Sequence, residues 1–205
     1  IPGVEANINE LRRRGKIIRI LTNDASRSPE QQAERFAHQG LPGILPEEVV
    51  TSGMMAKMFL AQKVKSGRVA YLGTANSAHY ILDADLRAVS VSALDLDDCD
   101  DVSAMVFLDD EGFDWNHDIN KTVNLLRKQN IPAIVANGDK LYPVAKNDVS
   151  IATGGIAKLV ESILNRKFIH FGKPDTQMFN YAFETISQYE AIDKSDILMV
   201  GDTLH

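Results

Sequence analysis

The chain has 205 residues, 44% of them hydrophobic and 24% charged, so it can build one large core or two small ones and is neither disordered nor fibrous. Its 28 acidic and 22 basic residues leave a formal net charge of −6, the wrong sign for neutralising a phosphate backbone, which excludes nucleic acid as the expected partner. Cys99 is alone and cannot form an internal disulfide, no apolar run approaches the roughly 20 residues of a membrane span, and Ile1-Pro2-Gly3-Val4-Glu5 lacks a signal-peptide pattern, so a cytoplasmic setting with no membrane partner is expected.

Apolar runs alternate with amphipathic stretches in the pattern that layers helices over a largely parallel sheet. Val4, Ile8 and Leu11 line one face of a helix over 4–14, which Gly15 ends. Residues 17–21 read as a strand that releases the polar loop Thr22-Asn23-Asp24-Ala25-Ser26. Ser28-Pro29-Glu30-Gln31 predicts a helix start, since Ser caps, Pro suits the first turn and Gln31 completes a capping box; this helix runs to about residue 39. Val49-Val50 and Thr51-Ser52-Gly53 predict a strand end and a second cap, with Met54, Met55, Met58, Phe59 and Ala61 packing the next helix. From about Gly67 follow strands at 68–72, 87–91, 104–108 and 131–136 and helices at 77–82, 117–128 and 153–165, enough for a separate α/β unit inserted into the first. Beyond it, 168–171 is a strand, the stretch from Asp175 to about 188 a helix, and 197–200 a last strand that delivers Gly201-Asp202. Polar loops thus follow strands that one sheet could hold, and ligands of open α/β sheets bind at the carboxyl ends of strands.

Asp202, a carboxylate behind an apolar strand and a glycine, suits Mg²⁺, which takes one or two carboxylates and keeps water and phosphate oxygens as its other ligands. Lys173, between Gly172 and Pro174, can meet a phosphate as a point charge, and Thr22 with Asn23 offers a hydroxyl, an amide and backbone N–H groups. Taken singly, each of these motifs is commoner as a cap or a turn. Asp109-Asp110-Glu111-Gly112 imitates a paired-carboxylate nucleophile motif, but Glu111 breaks the pair, and the segment reads as a surface turn. The acidic run 95–101 lacks the ligand spacing of a calcium loop, and the five histidines lack zinc spacing. Thr153-Gly154-Gly155 before a helix could bind an anion but matches neither a dinucleotide fingerprint nor a phosphate loop.

The order Leu21-Thr22-Asn23, a large insert, Gly172-Lys173-Pro174, then Val200-Gly201-Asp202-Thr203-Leu204 resembles the haloacid dehalogenase superfamily of phosphohydrolases, and within it the NagD-like class IIA branch. The similarity extends to Pro2-Gly3 with Glu5, to Gly15-Lys16, to Thr51-Ser52-Gly53, and to Asn137-Gly138-Asp139 with Tyr142-Pro143 and Gly154-Gly155. It implies an α/β fold with a Rossmann-like three-layer core over 1–65 and 167–205 and an inserted α/β cap over 66–166 that closes over the active site.

The implied activity is Mg²⁺-dependent hydrolysis of small phosphate monoesters: one Asp forms an aspartyl-phosphate and a second, two residues on, acts as general acid and base. By the same match Thr22 and Lys173 are catalytic, Thr22, Asn23 and Lys173 bind phosphate, Asp202 binds the metal, and Asn137, Gly138, Asp139 and Tyr142 select the substrate. The implied partner is a small phosphorylated metabolite, with a homodimer through the cap as an option. The family's Asp-x-Asp-Gly strand precedes the helix that starts near Val4, and a further Asp follows Asp202, so the 205 residues read as part of a longer chain. The rival reading is a non-catalytic protein of the same fold that binds a phosphorylated metabolite or a protein.

Overall fold

A computed structural model describes residues 3–188 and 191–201. The first segment folds as helix α1 (Val4–Arg13), strand β1 (Ile20–Thr22), helix α2 (Pro29–His38), strand β2 (Val49–Thr51) and helix α3 (Ser52–Lys63). The start of α2 is the one its sequence encodes: Ser28 Oγ accepts from the Gln31 N–H at 3.3 Å, and Gln31 Oε1 accepts from the Ser28 N–H at 3.0 Å. Thr51 caps α3 in the same way, accepting from the Met54 N–H at 3.3 Å. β1 and β2 pair in parallel, from Ile20 opposite Val49 to Thr22 opposite Thr51. The strand expected over 17–21 is therefore displaced toward the loop, because a ladder extends only as far as its neighbour and β2 supplies three residues.

The rest of the chain adds β3 (Arg68–Leu72), α4 (His79–Leu82), β4 (Arg87–Ser90), β5 (Val102–Phe107), α5 (Trp115–Lys128), β6 (Ala133–Val135), β7 (Leu141–Pro143), β8 (Val149–Ile151), α6 (Thr153–Leu164), β9 (Ile169–His170) and α7 (Thr176–Ser187). Five of these strands form an all-parallel sheet in the order β4-β3-β5-β6-β9. Successive residues of its central strands alternate between two cores, as the two-residue period of a strand requires. Val69, Tyr71, Ala104, Val106 and Ile134 enter a cluster with Met55 and Leu60 of α3, Tyr80 and Ile81 of α4, and Met178 and Ala182 of α7. Ala70, Leu72, Met105, Phe107 and Val135 enter another with Leu125 of α5 and Ile156 and Val160 of α6. The sheet is thus the middle of three layers.

Ile169–His170, within the strand expected over 168–171, forms the edge of this middle sheet, with Ile134 opposite Ile169 and Val135 opposite His170. Glu161 of α6, 5% exposed, anchors that edge: Oε1 accepts from the Phe168 N–H at 2.6 Å and lies 3.1 Å from His170 Nε2, while Oε2 takes Lys158 Nζ at 3.0 Å.

Two local expectations are corrected, and one element is added. Residues 197–200 are not a strand; they have no ladder partner among the described residues, and Leu198 is 84% exposed. Met58 and Ala61 face water, because α3 buries Met55, Ala56 and Leu60 and turns these two to its outer side. The antiparallel ribbon of β7 and β8 was not foreseen, since three residues per strand give too short an alternation to detect.

α3 packs closely on α4: a Cβ at Gly53 would fall 2.2 Å from Tyr80 Cε2, and the buried Tyr80 hydroxyl donates to Arg27 O at 2.6 Å. Gly53→Ala is expected to destabilise the fold by about 1–3 kcal/mol through this overlap. Urea denaturation checks it, and an unchanged midpoint would show that the ring moves aside without cost.

Candidate active site

Two chain segments carry the site. β1 ends at Thr22 and opens into the loop 23–26; β9 ends at His170 and opens into Phe171-Gly172-Lys173. Both loops stand at strand carboxyl ends, where the sequence places the ligand. Asn23 joins them from a position only 6% exposed. Its Oδ1 accepts from the Lys173 N–H at 2.6 Å, its Nδ2 donates to Lys173 O at 3.0 Å, and its own carbonyl accepts from Ser52 Oγ at 2.8 Å. The amide thus reads both backbone groups of one residue on the other loop. Gly172 permits the approach: its φ is +108°, and a Cβ there would lie 2.8 Å from Asn23 Oδ1.

Lys173 Nζ donates to Leu21 O at 3.0 Å, so the ammonium is fixed at the end of β1, beside the residue that precedes Thr22. Thr22 Oγ1 accepts from the Asp24 N–H at 3.2 Å, which turns the loop back and leaves the Thr22 hydroxyl hydrogen to donate elsewhere. The group reaches across to the loop after β6: Asn23 Nδ2 also donates to Asp139 Oδ1 at 2.8 Å. Asn137 Oδ1 accepts from the Asp139 N–H at 2.9 Å, which closes the turn around Gly138, and Asp139 O accepts from the Gly154 N–H at 2.9 Å.

The structure therefore brings Thr22, Asn23, Lys173 and Asp139 into one connected group, with Asn137 and Gly138 in the turn behind Asp139. Tyr142 stands apart from these contacts. Its hydroxyl faces Asp110, whose carboxylate pushes the phenol pKa up, and its register partner on β8 is Ser150. Asp202 lies outside the described residues.

Two carboxylates were passed over in the sequence. Asp24 is half-buried; burial alone would lift its pKa, but bonds from Ser26 N and Oγ at 2.8 and 2.6 Å and from Arg27 Nη1 at 2.9 Å hold it below the usual range. Asp109, expected in a surface turn, is half-buried at the carboxyl end of β5, where Thr74 Oγ1 donates to its Oδ2 at 3.1 Å. Burial raises its pKa, and the charges of Asp110 and Asp24 add to the rise, so Asp109 lies within electrostatic reach of the β1 loop. Its sequence signal is a carboxylate that follows, after Leu108, a six-residue and largely buried strand.

An ammonium fixed at the end of the strand that presents the Thr22 hydroxyl, with the loop N–H groups, favours a compact anion with several acceptor oxygens. Among the described residues, no three His, Cys, Asp or Glu side chains gather as a metal site, and none of the helices is long and apolar enough to cross a membrane.

Comparison with known proteins places the chain in a family. A model for haloacid dehalogenase-like hydrolases matches residues 47–205, and a second model of the same description matches residues 1–87. Mouse chronophin is 28% identical over 210 residues, an alignment that spans 100% of this chain and 68% of that protein. Chicken glycerol-3-phosphate phosphatase is 26% identical over 224 residues, spanning 100% of this chain and 68% of that one. The crystal structure of a "possible sugar phosphatase" of the HAD superfamily from Cytophaga hutchinsonii superposes with a TM-score of 0.95 at 53% identity, covering 100% of this chain and 72% of that one. The α/β architecture, the ordered loops around Asn23 and Lys173, and a family match over residues 47–205 together show that this chain belongs to the haloacid dehalogenase-like hydrolases.

Proposed function

We propose that the protein is a phosphatase that hydrolyses small phosphate monoesters. The observation that carries this reading is the Lys173 ammonium held at 3.0 Å from Leu21 O, with the Lys173 backbone clamped by Asn23. That clamp fixes a positive charge at the end of the strand that presents Thr22, as transfer of a doubly charged phosphoryl group requires. The names of the chicken glycerol-3-phosphate phosphatase and of the possible sugar phosphatase from Cytophaga hutchinsonii support the same class.

In this reading the Thr22 hydroxyl and the loop N–H groups bind phosphoryl oxygens, Lys173 offsets their charge, and Asn23 holds the two loops in register. A carboxylate from the Asp-x-Asp-Gly motif, which the resemblance puts ahead of the α1 helix, attacks phosphorus. The ester P–O bond breaks, the leaving alcohol takes a proton from the second Asp, and water then cleaves the aspartyl-phosphate. Asn137, Gly138 and Tyr142, in the loops beyond β6, are assigned to substrate choice, and residues 66–166 are kept as the unit that supplies them.

Magnesium is assigned to Asp202 by the resemblance alone. The described residues do not form a metal set by themselves: Asp24 is taken up by Ser26, Arg27 and Gln32, and Asp139 by Asn23. Hydrolysis of an aryl phosphate by the complete protein, with and without a chelator, tests both parts of the proposal. Turnover that falls at least about tenfold on chelation is expected. No turnover at all would remove the phosphatase reading, and equal rates would remove the metal.

A further inference from the structure

We infer that Asp139 is a positioning residue that acts on Lys173 through Asn23, not a group that selects the substrate. The inference rests on the phosphatase reading for its kinetic consequence but on geometry for its substance. Asn23, 6% exposed, has two N–H bonds to satisfy at Nδ2; one goes to Lys173 O at 3.0 Å and the other to Asp139 Oδ1 at 2.8 Å. A carboxylate only accepts, so it can meet only the Nδ2 end of that amide, which leaves Oδ1 turned to the Lys173 N–H at 2.6 Å. Asp139 thereby sets the amide orientation on which the clamp of Lys173 depends.

Asp139 is itself held from behind. Its N–H donates to Asn137 Oδ1 at 2.9 Å, its carbonyl accepts from the Gly154 N–H at 2.9 Å, and a Cβ at Gly154 would fall 2.4 Å from Gly138 O. The amino end of α6 therefore seats closely against the 138–139 peptide, and that seating aims the Asp139 carboxylate at Asn23. A specificity residue would offer both carboxylate oxygens to substrate; Asp139, although exposed, has Oδ1 committed to Asn23 Nδ2 at 2.8 Å.

The test uses Asp139→Ala and Asp139→Asn in the complete protein. Asparagine keeps an acceptor oxygen in the same place, so it should preserve the bond from Asn23, whereas alanine leaves one buried N–H without a partner. With alanine, exchange of the Lys173 amide hydrogen, followed by NMR, should quicken about tenfold, the factor that one hydrogen bond of ordinary net strength represents. kcat should fall by a similar factor, with KM and the ratio of rates on an aryl and a sugar phosphate unchanged. Asparagine should restore both readouts to within about threefold of the parent, a loss smaller than that of one hydrogen bond.

Unchanged Lys173 exchange in Asp139→Ala would overturn the inference. So would an asparagine variant as impaired as alanine, or an altered substrate ratio at intact kcat. Should the parent protein hydrolyse no phosphate monoester, the phosphatase reading fails while the exchange measurement still decides the role of Asp139. The asparagine variant, nearly isosteric, serves equally if alanine does not fold.

Discussion

Lys173→Ala is expected to lower phosphate monoester turnover at least about a hundredfold, the order of loss seen when one preorganised charge or donor is removed from a developing anion. The side chain is half-buried and, among the described residues, its ammonium donates to the neutral Leu21 O at 3.0 Å, so its removal leaves no ionised partner buried among them. The effect should therefore fall on kcat rather than on stability. Lys173→Met, which keeps the stem without the charge, should be as inactive as alanine, and Lys173→Arg should recover little. A planar guanidinium cannot replace a compact ammonium at the end of β1 without displacing the loop. Steady-state rates with an aryl phosphate, set beside thermal midpoints, check this. An alanine variant within threefold of the parent would remove Lys173 from the site.

Loss of Glu161 should have the largest effect on stability. Burial alone would raise its carboxyl pKa, but the Phe168 N–H, Lys158 and His170 together outweigh burial and hold it at about 2, below its ordinary 4.5. A group whose pKa is depressed on folding adds stability that is fully present above its unfolded value and is lost as pH falls toward the folded one. The window here is therefore from about pH 4.5 down to about 2. A shift of that size corresponds to about 3 kcal/mol at neutral pH. Glu161→Gln keeps an acceptor for the Phe168 N–H and loses the charge, so it should lose about that amount at pH 7 and almost nothing near pH 2. Urea midpoints of parent and variant across this range test the account, and a penalty that stays constant with pH would refute it.

Where the sequence carried local chemistry, it could be read. Ser28 with Gln31, and Thr51 before α3, encode their caps in side chains that act within four residues, and both caps form as expected. The central strands β3, β5 and β6 are legible because each is a short, mostly apolar run buried on both faces. Pairing was not legible. Residues 17–19 and 197–200 carry the β-branched and apolar side chains of strands, yet a strand exists only where a neighbour completes its ladder, and that depends on distant chain. The same limit hid the allegiance of Ile169–His170, whose partner lies more than thirty residues earlier.

At the site, Thr22, Asn23 and Lys173 were found from their places behind strands. The bond from Asn23 to Asp139, and the depth of Asp109, come from the meeting of loops 116 and 35 residues away from their partners. No spacing rule spans such distances.

The core cluster that runs from Leu60 through Val106 to Met178 limits how a ligand could come and go. Val69, Val106 and Ile134 are wholly buried in it, and exposing any one of them to water would cost about 1.5–3 kcal/mol. Any motion that parts this cluster therefore carries that cost. The polar side chains of Thr74, Asp110, Asp139 and Tyr142 lie outside the cluster and are tied by hydrogen bonds such as Asn23 to Asp139 and Thr74 to Asp109, so access to Lys173 in the proposed phosphatase is expected to turn on those bonds.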